Sequence, residues 1–216
     1  MNNVSGNFIF LDLMSLQINS YPIITIFWNI FLLAVPFFLG RKLFLFWQKT
    51  KFKSTKDKFL GTLLFLLWLL FAPNAAYIIT DSRHISGFCP ENYYQICAQN
   101  AWMIIVFFSY AAIGWIGHVY LINQLRPLFK NLYGRMGEML YLWLISPIIS
   151  LGLLLGLVDR WNSWDAFLHP FGVVQSARHY LSDWTYFKNL LIYTIFLYLL
   201  YWLGGIIFTP RIKLKK

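Results

Sequence analysis

Seven consecutive residues, Asp159-Arg160-Trp161-Asn162-Ser163-Trp164-Asp165, hold two carboxylates, a guanidinium, an amide, a hydroxyl and two indoles. Carboxylates so placed can accept a proton, bind a cation, or pair with Arg160 and Arg83. A second group lies upstream, in Phe71-Ala72-Pro73-Asn74-Ala75-Ala76-Tyr77-Ile78-Ile79-Thr80-Asp81-Ser82-Arg83-His84. Its Asn74, Tyr77, Asp81 and His84 are three, four and three residues apart, so they form one stripe on a helix. Pro73 removes a backbone donor and clashes with the preceding turn, which places a kink just before the stripe.

Together the two segments suggest a site. Asn74, Tyr77, Asp81, His84, Arg160, Trp161, Asn162, Trp164 and Asp165 are the candidate binding residues. Asp81, Asp159 and Asp165 are the candidate acids or bases, and Arg160 is suited to neutralising phosphate or carboxylate. A metal set would draw on Asp81, His84, Asp159, Asp165 and His169, with His84 and His169 as nitrogen donors, but no ligand spacing among them is diagnostic. No cofactor is implied. Structural roles compete with each assignment. Asn74 can satisfy backbone freed by the proline, the tryptophans can form an interfacial belt, and Asp81 can pair with Arg83 or Arg160.

The elements that position these residues are apolar. Of 216 residues, 59% are hydrophobic and only 12% are charged, about half the charge of an ordinary soluble domain. Crossing about 30 Å of hydrocarbon takes roughly 20 apolar residues. Five runs qualify: Tyr21 to Leu39, Phe59 to Thr80, Ala98 to Asn123, Glu138 to Val158 and Asn189 to Phe208. Phe8 to Ile18 is apolar but short and carries Asp12, and counting it would make six. Helix is required, because lipid satisfies no backbone donor or acceptor. The expected fold is an all-α, polytopic transmembrane helix bundle, one domain over residues 1–216.

Charge orients the bundle. Fourteen of the 18 basic residues fall after the first span, after the third and at the C-terminus. The positive-inside rule puts those regions in the cytoplasm and the N-terminus outside. Six of the eight acids (Asp12, Asp81, Glu91, Asp159, Asp165, Asp183) and three of the four histidines (His84, His169, His179) then lie outside. The +10 net charge is thereby explained by topology and anionic lipid, and nucleic acid is not an expected partner. Cys89 and Cys97 share an outer loop, where a disulfide is allowed in an oxidising compartment. Gly152 and Gly156 form a GxxxG pair that permits close helix contact, which would bring the fourth span against the second and join the two motifs.

The two segments resemble a bacterial membrane-protein family known as domain of unknown function 1361. The resemblance rests on Phe71 to Asp81, where Ala76 stands in place of a second proline, and on Arg160 to Asp165. It implies a multipass protein of a bacterial cytoplasmic membrane and supplies no activity, substrate or catalytic residue. Three functions stay open. The first is a binding or accessory protein with a polar extracytoplasmic site for a lipid headgroup or a membrane-protein partner. The second is a membrane-embedded enzyme acting on a lipid-linked or headgroup substrate. The third is a small transporter, disfavoured by the lack of acids deep in the spans.

Overall fold

In a computed structural model, residues 16–18, 21–85 and 101–208 are described. Asp12, most of the short N-terminal apolar stretch, Cys89, Glu91, Cys97 and the basic C-terminus lie outside the described residues. The fold is an all-α helical bundle. Among the described residues, its one β feature is a two-residue antiparallel pairing of β1 (Gln17–Ile18) with β2 (Tyr21–Pro22). The helices are α1 (Ile23–Thr50), α2 (Thr55–Phe71), α3 (Pro73–Thr80), α4 (Trp102–Leu157), α5 (Asp165–Leu168), α6 (Pro170–Ser182) and α7 (Trp184–Phe208). A 3-10 turn, Asp81–Ile85, continues α3.

Local chemistry sets the ends that matter. Lys51 and Phe52 take left-handed backbone to end α1. The Phe52 ring then lies over Gly61, where a Cβ would come within 2.6 Å of it. Ser54 starts α2 with a capping box. Its hydroxyl accepts from Asp57 N–H at 3.1 Å, and the Asp57 carboxylate accepts from Ser54 N–H at 3.2 Å. Pro73 then divides α2 from α3, its missing donor costing nothing at a first helical position.

Among the described residues, four stretches are long and apolar enough to cross a membrane: Ile23–Thr50, Thr55–His84, Trp102–Leu157 and Trp184–Phe208. The third contains both the third and fourth runs of the hydropathy pattern. A straight helix of its 56 residues would run about 84 Å. It is not straight. Gly134 has φ 67° and ψ −164°, a conformation open essentially to glycine alone. Across this break the Tyr141 hydroxyl donates to Ile122 O at 3.1 Å, the Phe129 and Tyr141 rings stack at 4.4 Å, and Arg126 pairs with Glu138. The helix therefore doubles back as two antiparallel arms, 102–133 and 135–157. The stretch bearing Arg126, Lys130 and Arg135 is helix carried to the break, rather than a loop. Arg and Lys are good helix formers, and Leu125 and Leu128 keep a buried face beneath them.

The core runs down the middle of the bundle, through Trp68, Phe107, Ile122, Leu125, Ile149 and Leu153. A smaller cluster, Leu154, Leu155, Tyr180 and Leu190, fastens α6 and α7 to the second arm of α4. The outside is apolar. Phe27, Phe38, Phe59, Phe108, Trp143, Trp202 and Ile206 are all exposed, far more than water-soluble monomers present. This surface and the four apolar helices fit a membrane protein.

Candidate functional site

The kink at Pro73 is held from two sides. Its ring sits on Gly152, where a Cβ would lie 2.4 Å from Pro73 Cγ. One turn on, Gly156 faces the Tyr77 ring, 3.6 Å from the place of its absent Cβ. The GxxxG pair thus seats the proline helix against the second arm of α4. Ala75 N–H bonds back only to Ala72 O, so the Asn74 amide donates to Phe71 O at 2.9 Å in its place. The same amide donates to Ser163 Oγ at 3.3 Å. Asn74 therefore satisfies the kink and also ties it to the tryptophan-rich loop.

That loop reverses sharply after α4. Arg160 adopts φ 64°, left-handed for a side-chain-bearing residue, and Trp161 N–H returns to Leu155 O at 3.0 Å. The Trp161 indole turns inward, donating to Ser176 Oγ at 2.9 Å. Its ring edge occupies the space over Gly172, 2.9 Å from the position of a Cβ. The Trp164 ring meets Trp28 of α1 edge-on at 6.3 Å. An indole held by Ser176 is a wall element, where the sequence suggested a headgroup anchor.

Between these elements lies a cavity of about 290 Å³. Asn74 and Tyr77 line it from α3, Trp161, Asn162, Ser163 and Trp164 from the loop, and Gly152 and Gly156 from α4. The fourth wall is α1, through Thr25, Trp28 and Asn29, with Tyr21 just before it. Five of the nine candidate binding residues thus share one cavity. None of the described lining residues is charged.

The carboxylates stand elsewhere. Asp81 is fully buried behind the cavity wall. Its Oδ2 accepts from the Tyr21 hydroxyl at 2.8 Å and from Asn29 Nδ2 at 3.2 Å, while Oδ1 is 3.9 Å from Arg83 Nη2. Asn29 also donates to the Tyr21 hydroxyl at 3.1 Å. His84 packs its ring on Tyr21 at 4.4 Å. Asp165 accepts from Asn162 N–H at 2.7 Å and from Asn162 Nδ2 at 3.1 Å, which fixes the loop. Asp159 accepts from the Tyr180 hydroxyl at 2.9 Å. Burial, and then the hydrogen bond it donates to the Asp159 carboxylate, hold Tyr180 above the ordinary phenol range, so it stays a donor. Asp183 caps α7, accepting from Thr185 N–H at 2.8 Å.

Asp81, His84, Asp159, Asp165 and His169 do not gather into one coordination shell. Among the described residues, no group of three or more His, Cys, Asp or Glu forms. His169 lies 6.3 Å from the Trp161 ring. Arg160 is exposed at the loop tip.

Sequence reasoning missed the α1 wall. Asn29 was its one available signal, a lone amide in an otherwise apolar run with Trp28 beside it and Thr25 one turn earlier. Residues 28–202 match the family described as protein of unknown function (DUF1361). No curated protein and no solved structure matches the chain.

Proposed function

The chain belongs to the DUF1361 family, and from that premise we propose that it is a membrane-embedded binding protein whose ligand site is the cavity between the two motifs. One observation carries this reading. The polar groups lining the cavity are amides, hydroxyls and indoles, whereas Asp81, Asp159 and Asp165 are each bonded within the protein and none lines it. A general acid or base must come within hydrogen-bond reach of the reacting atom. These acids are arranged to hold walls in place.

The proposed setting is a bacterial cytoplasmic membrane crossed five times, with the cavity at the extracytoplasmic end, the N-terminus outside and the C-terminus in the cytoplasm. Helix lengths support it. From Asn29 at the cavity to Thr50 is 21 residues, and from Gly134 to Gly152 is 18. At about 1.5 Å per residue each distance is roughly 30 Å, one hydrocarbon thickness. The connection over residues 51–54, with Lys56 and Lys58 in the first turn of α2, and the Gly134 reversal with Arg126, Lys130 and Arg135 thus fall one bilayer away from the cavity.

Binding is tested by native mass spectrometry of the full chain extracted in mild detergent. The wild type is expected to carry a small molecule from its membrane. Trp164→Ala is expected to lose it at an unchanged melting temperature. Identical spectra for the two would refute the reading. A molecule found intact on Asp81→Asn but converted by wild type would favour the enzyme instead, with Asp81 acting through Tyr21 or Asn29.

A further inference from the structure

The hydrogen-bonding capacity left in the cavity narrows its ligand. The Asn29 Nδ2 group donates toward the Tyr21 hydroxyl and Asp81 Oδ2, which lie 2.8 Å from each other. Both protons of the Asn74 amide go to Phe71 O and Ser163 Oγ. The Asn162 amide gives one to Asp165. Among the described residues, none of the three side-chain carbonyl oxygens is bonded. The Ser163 hydroxyl accepts from Asn74 and keeps its own proton, and the Thr25 hydroxyl stands on the same wall. What remains is of both kinds: the three carbonyl oxygens as acceptors, the Ser163, Thr25 and Tyr77 hydroxyls able to do either, and as donors the second Asn162 amide proton and the indole N–H groups of Trp28 and Trp164, which have no bond among the described residues. Flat apolar faces surround them: Trp28, Trp161, Trp164, Tyr21 and Tyr77.

This set holds no lining cation to neutralise a phosphate. It has no lining carboxylate for an ammonium group, and the charge of Asp81 behind the wall is already opposed by Arg83. It matches a ligand whose hydroxyls both donate and accept, that carries no charge, and that has apolar C–H faces to lie on aromatic rings. The volume of about 290 Å³ is at the small end of ordinary ligand sites, about 300 Å³ and upward. The exposed Asn162 and the half-exposed Trp28 stand beside the cavity as a way in.

Resting on the binding reading above, we propose that the cavity takes an uncharged polyhydroxylated group of the glycosyl class. The sugar can be free or borne on a lipid. The experiment separates the two sources. The full chain in detergent is titrated, with native mass spectrometry as the readout, against glucosyl diacylglycerol, phosphatidic acid and phosphatidylethanolamine of matched acyl chains, and against free glucose.

Glucosyl lipid is expected to bind about tenfold tighter than either phospholipid. Asn162→Ala and Trp164→Ala are each expected to weaken it about tenfold, one good hydrogen bond or ring contact, in chains that keep the wild-type helix content by circular dichroism. Trp164→Tyr, which keeps a ring against Trp28, is expected to restore most of the affinity. Free glucose competing with the lipid would support the class with the sugar as the recognised part. Glucose binding alone would support it with a soluble source. A preference for phosphatidic acid or phosphatidylethanolamine, lost in the same variants, would overturn the ligand class and leave the binding reading standing. Probes that bind equally to wild type and both variants, or not at all, would overturn both.

Discussion

Arg160 shows how residue-scale strain and residue-scale chemistry can be separated. Left-handed backbone costs a side-chain-bearing residue roughly 1–2 kcal/mol, and Arg160 holds it at φ 64°. Arg160→Gly is therefore expected to raise the unfolding free energy by about 1 kcal/mol, read as a higher melting temperature in detergent. A lower one would mean that the guanidinium supports the fold more than its backbone strains it. Gly152 makes the opposite case. A methyl there meets Pro73 at 2.4 Å, and Gly152→Ala is expected to cost about 1–3 kcal/mol through overpacking. Asp81 is the third test. Tyr21→Phe removes its shortest donor and is expected to cost about 1–3 kcal/mol, as for a buried acceptor left short of a partner. An unshifted melting curve would place that carboxylate in contact with water instead.

At the scale of elements, the reversal at Gly134 is the feature on which span count depends. Its φ/ψ pair admits little but glycine, yet nothing lies within 4 Å of where a Cβ would be. Gly134→Ala thus tests conformation free of crowding, and a loss of about 1–3 kcal/mol is expected. Gly205 is the control. It too has open space, but in a helix, so Gly205→Ala is expected to be neutral or to gain about 0.5–1 kcal/mol. Equal effects would remove the special role of Gly134.

This scale also shows what the sequence made legible. The apolar runs marked the helix interiors because hydrocarbon demands continuous apolarity. They stopped short of the true ends, since Lys- and Arg-bearing turns read as loops although both residues favour helix. The contact between the two motifs was readable from Gly152 and Gly156, whose spacing makes a groove where Pro73 and Tyr77 sit. The share taken by α1 was not readable. Thr25, Trp28 and Asn29 carry no motif, and only three-dimensional packing shows that Asn29 reaches Asp81 across 52 positions of sequence. Proximity along the chain also misled: Asp159 and Asp165 flank the tryptophan pair, yet their oxygens turn to Tyr180 and Asn162.

For the whole molecule, the exposed apolar flanks of the long helices fit a membrane protein. If the lysine-bearing end is cytoplasmic, a single cysteine at Lys56 should resist an impermeant thiol reagent in intact cells, and one at Trp164 should react. The reverse pattern would invert the orientation while leaving the cavity as it is. A narrower juxtaposition matters more, the proline kink facing the tryptophan loop across one cavity. It is tested most directly by replacing Asn74 and Ser163, whose side chains meet at 3.3 Å, with cysteines in a chain whose Cys89 and Cys97 are serine. Membranes are treated with a short bifunctional thiol reagent and the chain is then cut with trypsin between the two positions. The two fragments are expected to remain joined until the bridge is reduced. Fragments that separate, with both cysteines still open to alkylation, would contradict the account.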